Sequence, residues 1–76
     1  MFEIKLPELS NGATAATVTI WHYTEGDSVR DNDDLVEFIT DESIFHLSSP
    51  VSGRVKRIIV DEGEVAMAGD TLAVIE

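Results

Sequence analysis

The chain has 76 residues, 43% hydrophobic and 26% charged, which fits one globular domain with a small core and excludes a second. Fifteen Asp and Glu against five Lys and Arg give a formal net charge of -10, a balance that repels phosphate backbones and anionic lipid and suits a basic protein partner. Cysteine is absent, so no disulfide or thiolate metal site supplements the core, and neither a membrane-length apolar run nor a signal peptide is visible; the expectation is a soluble, intracellular protein, cytoplasmic or in an organelle matrix.

Strand signals dominate. Phe2-Glu3-Ile4-Lys5-Leu6 alternates apolar and charged residues, the period of a half-buried strand, and Pro7 ends it. Residues 14–23 are rich in Thr, Val, Ile and aromatics and predict a longer strand. Short strands follow over 35–40, 43–47, 53–60 and 71–76, separated by Glu-Gly, Asp-Asn-Asp and Pro-Val-Ser-Gly turns.

An internal repeat runs through the chain at a constant offset of 37 residues: Glu25-Gly26-Asp27 matches Glu62-Gly63-Glu64, and Asn32-Asp33-Asp34-Leu35 matches Gly69-Asp70-Thr71-Leu72. Val18 pairs with Val55 in the same frame, Trp21 with Ile58 and Tyr23 with Val60. The match of Asn32 with Gly69 has a physical basis, because Asn and Gly adopt positive φ most readily and a tight turn of one type is then used twice. Two copies are too few for a solenoid. They predict one all-β domain over residues 1–76, a flattened β-sandwich or barrel of two pseudo-twofold halves, each supplying one sheet. Val18, Leu35, Phe38, Val55, Leu72 and Ile75 are the expected core.

The openings "FEIKLPEL" and "WHYTEGDSVRDNDDLVEFITD" and the run "LVEFITDESIFHLSSPVSGRVKRIIVDEGEVAMAGDTLAVIE" together resemble the lipoyl domains of 2-oxo acid dehydrogenase acyltransferases. The resemblance covers nearly the whole chain and rests on the paired Glu-Gly turns, the Thr40-Asp41 approach to a hairpin and Ser49-Pro50-Val51-Ser52-Gly53 after it. It implies the lipoyl-domain fold, sometimes called a barrel-sandwich hybrid. It also implies a central hairpin whose tip carries a lysine after an acidic residue, with lipoate in amide linkage as a swinging arm. Asp41 matches the acidic residue and Ser43-Ile44-Phe45 the outgoing strand, and Glu42 occupies the lysine position. Biotin carriers flank their lysine with methionines, which Asp41 and Ser43 do not resemble, so the lineage looks lipoyl-type.

A carboxylate cannot act as the amine nucleophile that amide formation needs, so the expectation is that this polypeptide carries no lipoyl group and no other cofactor. Lys5 lies in the first strand and Lys56 in the strand after Gly53, neither of them at a hairpin tip. The resemblance also places the loop Glu8-Leu9-Ser10-Asn11-Gly12-Ala13 beside the tip, where it differs from the usual glycine-containing acidic loop.

Other constellations are weaker. Asp31-Asn32-Asp33-Asp34 invites a calcium reading but lacks the EF-hand spacing, and Asp41 with Glu42 forms no closed coordination shell. His22 and His46 lie on strands without metal-ligand spacing, and Ser48, Ser49 and Ser52 have no visible base to make one a nucleophile. Trp21 and Tyr23 read as core or half-buried sheet residues, with Trp21 a contact residue if exposed.

No enzyme is indicated. The leading reading is a lipoyl-domain homologue acting as a docking or structural module, monomeric in isolation, for protein partners in a 2-oxo acid dehydrogenase complex. The fold would finish at Ile75-Glu76, which also suits a domain excised from a larger acyltransferase subunit. The alternatives are a true lipoyl carrier whose lysine has been replaced, and a small acidic metal-binding protein.

Overall fold

The computed structural model describes residues 1–9 and 12–76. Eight strands follow one another: β1 (Phe2–Lys5), β2 (Ala15–Trp21), β3 (Ser28–Val29), β4 (Asp34–Ile39), β5 (Ile44–Ser48), β6 (Gly53–Ile58), β7 (Val65–Met67) and β8 (Thr71–Ile75). They form two four-stranded antiparallel sheets, sheet A in the order β1-β8-β6-β3 and sheet B in the order β5-β4-β2-β7. No helix lies among the described residues. None is therefore long and apolar enough to cross a membrane.

The 37-residue repeat is a physical symmetry. It carries β2 onto β6, β3 onto β7 and β4 onto β8, and with β5 taken onto β1 it maps sheet B onto sheet A in order. Hydrogen bonds obey it: Gly26 N–H donates to Val55 O over 2.7 Å and Gly63 N–H to Val18 O over 2.7 Å. Asn32 (φ 72°) donates its N–H to Ser49 O, and Gly69 (φ 92°) donates to Leu6 O, each over 2.7 Å. The expected positive-φ turn thus occurs twice, with Asn accepting a backbone that glycine adopts freely.

One expectation is corrected. The halves related by the symmetry, β2–β5 and β6–β8 with β1, do not supply one sheet each: each sheet holds three strands of one half and the short crossing strand of the other. The short crossing strands explain this. β3 pairs with β6 and β7 with β2, so each half caps a strand edge of the other that would otherwise lie open. β3 and β7, of 2 and 3 residues, also add to the six strands expected from sequence.

The core lies between the sheets. Val18, Leu35, Phe38, Val55, Leu72 and Ile75 are each 1% exposed or less, as the repeat led one to expect, and Ile4, Leu6 and Trp21 join them. Burying such a side chain fully stabilises the fold by roughly 1.5–3 kcal/mol. Phe2 departs from its alternation partners Ile4 and Leu6: it stays exposed at the start of edge strand β1, lining a shallow cleft with Leu47 and Pro50.

Candidate functional site

The hairpin joining β4 to β5 presents the residues that the sequence singled out. Ile39 and Ile44 form the last register pair, and beyond them Thr40 N–H donates to Ser43 O over 2.9 Å. That bond leaves Asp41 and Glu42 as a two-residue tip. Among the described residues Asn32 is the one non-glycine with positive φ, so both tip residues have negative φ and the primed hairpin turns are excluded. A backbone of this kind accepts any L-residue, an ionised acid or a lysine alike.

Asp41 and Glu42 are both exposed, while Thr40 and Ser43 are half-buried and fix the base of the turn. Neither tip carboxylate has a hydrogen-bond or ion-pair partner among the described residues. An open groove of about 510 Å³ runs beside the tip, with Gly12, Ala13, Thr17, Ile39, Thr40 and Val65 in its lining. The loop after β1 therefore comes beside the hairpin through Gly12 and Ala13; Ser10 and Asn11 of that loop lie outside the described residues.

The two lysines sit elsewhere. Lys5 on β1 lies 4.0 Å from Glu3, and Lys56 on β6 points its Nζ to within 3.1 Å of the Met1 sulfur. Both belong to sheet A, whereas the tip belongs to sheet B. A tip of two carboxylates can attract cations and hydrogen-bond donors; it has no amine with which to form an amide.

The acidic run at 31–34 is engaged in turn architecture. Asp33 Oδ2 accepts the Tyr23 hydroxyl over 2.9 Å and the Arg30 N–H over 3.1 Å, and Asp31 Oδ1 accepts the Ser52 hydroxyl over 3.3 Å. The hydrogen bond to Asp33 raises the Tyr23 pKa above its ordinary value of 10.0, helped by desolvation and by the charges of Asp33, Asp27 and Asp34. No cluster of three or more potential metal ligands occurs among the described residues. Ser49 is fully buried and donates to Val51 O over 2.7 Å, a structural role. His46 Nε2 stands 3.5 Å from Glu37, and His22 is exposed. Trp21 is buried, its indole N–H donating to Val60 O over 2.8 Å, which settles it as a core residue.

Sequence reasoning missed one feature. Ile39, Ile44, Val65 and Met67 are apolar yet exposed on the outer side of sheet B. The missed signal was a comparison of the two halves residue by residue at their outward positions.

Comparison with known proteins agrees with this architecture. The biotin/lipoyl family profile, described as "Biotin-requiring enzyme", matches residues 2–75. Over 75 residues the chain is 37% identical to the dihydrolipoyllysine-residue acetyltransferase component of the pyruvate dehydrogenase complex of Staphylococcus epidermidis, covering 99% of this chain. The Staphylococcus aureus counterpart is 36% identical over the same length. The chain spans 17% of the length of these curated relatives. Among solved structures, the lipoyl domain of the 2-oxoglutarate dehydrogenase complex of Azotobacter vinelandii superposes with a TM-score of 0.81 at 24% identity, covering 100% of this chain and 96% of that one. Kluyveromyces lactis urea carboxylase gives 0.78 at 23% identity, covering 97% of this chain and 6% of that one. With a family match over all but its two terminal residues and relatives above 35% identity, the chain belongs to the biotin/lipoyl domain family.

Proposed function

We propose that this chain is a lipoyl-type domain, of the kind found in 2-oxo acid dehydrogenase acyltransferases, that carries no lipoyl group and serves as a protein-docking or structural module. The observation that carries the reading is the exposed two-residue tip, Asp41-Glu42, where the family's attachment lysine is expected. Glu42 offers a carboxylate in place of the amine, and its shorter side chain cannot serve as the root of a long swinging arm. On this reading the domain is not itself an enzyme: its groove beside the tip is open, and the His46–Glu37 pair has no serine bonded to it among the described residues.

Its partners, on this reading, are the protein components of a 2-oxo acid dehydrogenase complex, and the isolated domain is a monomer. The formal charge of -10 disfavours nucleic acid and anionic membranes as partners.

Coexpression with a lipoate ligase, read by intact mass, tests the proposal. The expected result is the unmodified mass, and a lipoyl adduct would overturn it. Glu42→Lys in the same assay separates the alternative of a carrier whose lysine was replaced. Efficient modification favours that alternative, whereas a folded variant ignored by the ligase shows that the recognition surface has also diverged.

A further inference from the structure

The pseudo-twofold places corresponding residues at corresponding outward positions on the two sheets, so each outer face is a control for the other. On sheet A the outward positions include Ser28, Arg30, Arg54 and Arg57. The 37-residue offset maps these onto Val65, Met67, Thr17 and Ile20 of sheet B. All five Lys and Arg of the chain lie on strands of sheet A or directly after one, and β2, β4, β5 and β7 contain none. The scaffold therefore tolerates serine and arginine at positions where sheet B carries apolar side chains.

Those apolar side chains neighbour one another, with Thr17 the one polar member of their central row. Ile44, Ile39, Thr17 and Val65 stand in one register row across β5, β4, β2 and β7, a row about 14 Å wide at normal strand spacing. Ile44 is 65% exposed, Val65 63% and Met67 51%. Scattered exposed apolar residues are ordinary, but a strip on one sheet whose equivalents on the other are polar or charged, Glu76 for Ile39, Ser28 for Val65 and Arg30 for Met67, needs a cause other than strand propensity. Asp41 and Glu42 border the strip at the hairpin tip, and Glu64 borders it next to Val65.

We propose that the outer face of sheet B docks a partner protein segment that presents apolar side chains bordered by lysine or arginine. Charge selects this occupant: the rim of the strip is acidic and its sheet holds no Lys or Arg to repel a cationic segment. A second copy of the chain is disfavoured, since two bodies of net charge -10 repel each other. The inference rests on the docking reading above and adds the surface and the partner chemistry.

The test titrates the isotope-labelled chain with a synthetic amphipathic peptide of leucine and lysine, followed by amide chemical shifts. Two control peptides replace lysine by glutamate or leucine by serine. The expected result is a set of shifts clustered at 17–20, 37–44 and 65–67, lost with either control. Ile39→Thr, Val65→Ser and Met67→Thr combined keep the net charge and weaken binding by about tenfold or more, with an unchanged amide spectrum elsewhere reporting an intact fold. Asp41→Asn with Glu42→Gln weakens binding and flattens its salt dependence. Several outcomes overturn the proposal: no shifts up to about 1 mM peptide, equal affinity in the triple variant or for the leucine-free peptide, or a sedimenting dimer that the triple variant abolishes. Shifts clustered on the acidic turns at 25–33 and 61–64 overturn this surface while leaving a docking role intact. A lipoyl adduct in the ligase assay sinks the docking reading whatever the peptide does.

Discussion

Glu62 Oε2 accepts a hydrogen bond from the backbone N–H of Trp21 over 2.8 Å, and its symmetry mate Glu25 accepts one from Ile58 N–H over 2.9 Å. Each Glu-Gly turn thus reaches across to the other half and satisfies a donor at the far end of a long strand, β2 or β6. Beside Glu62, the Trp21 indole is also held by Val60 O. Removing the carboxylate leaves that donor to water at a partly covered site. Glu62→Ala is expected to lose about 1 kcal/mol, and Glu62→Gln, which keeps an acceptor oxygen, less than half of that. Urea unfolding followed by Trp21 fluorescence reads both.

Gly53 is a different case, decided by space. A Cβ added there would collide with the backbone O of Glu76 and come within 2.8 Å of Ile75 Cγ2. The same stretch holds the Arg54 and Glu76 backbone pair, bonded at 2.9 and 3.2 Å, so β8 cannot shift without loosening that pair. Gly53→Ala is expected to cost about 1–3 kcal/mol, whereas its symmetry mate Ala16 already carries a buried Cβ without conflict. Chemical denaturation and protection of the Glu76 amide against hydrogen exchange check this.

The core was legible because Val18 and Val55, or Leu35 and Leu72, are apolar at equal places in two copies. The hairpin tip was legible because apolar runs end at Ile39 and resume at Ile44, and the repeat and the family resemblance fix the register between them. The crossing strands were not: two or three residues, as in β3 and β7, are too short to display a period. The same limit hid the interleaving of the halves, since a repeat offset states which strands are equivalent and not which sheet each joins. Phe2 misled because alternation assigns a face but does not tell whether an edge strand's first residue has anything opposite it. The apolar strip of sheet B was hidden by ordinary strand composition, and only its polar counterpart on sheet A, with Glu76 for Ile39 and Ser28 for Val65, makes it unusual.

Tyr23 gives the domain a pH dependence at the alkaline end. Its hydroxyl donates to Asp33, and ionising it would set a phenolate against Asp33 with Asp27 and Asp34 nearby, so its folded pKa stands above 10.0. A raised folded pKa means the unfolded chain loses this proton first as pH rises. The stabilisation from the Tyr23–Asp33 bond is therefore complete below pH 10.0 and disappears above it, as pH climbs through the folded value. Tyr23→Phe should be less stable than the parent at pH 8, and the gap should narrow as pH rises past that point. Paired urea titrations of the two proteins remove the shared lysine contribution from the comparison.

Phe38 anchors sheet B against the core at 1% exposure and stacks on Phe45 with ring centroids 5.7 Å apart. Phe38→Ala removes both, at a cost of about 3–5 kcal/mol, close to the whole stability of a domain this small. It is expected to be largely unfolded at room temperature. Phe45→Ala, which empties a half-buried site, should remain folded with a lower melting temperature. Circular dichroism melts of the pair separate these outcomes.

Glu42→Lys should behave in the opposite way. The tip backbone has negative φ at both positions, the side chain is exposed, and the turn is closed by Thr40 and Ser43 without help from the Glu42 carboxylate. Lysine also relieves the repulsion between adjacent acids, so stability should change by no more than about 0.5 kcal/mol, with any shift toward greater stability fading as salt is added. A loss well beyond that would mean that Glu42 supports the hairpin or its neighbouring loop. The tip would then be structural, and Glu42 could no longer be proposed as a simple exchange for lysine on an unchanged scaffold. A melting curve of Glu42→Lys at low and high salt therefore bears directly on how the modification assay is interpreted.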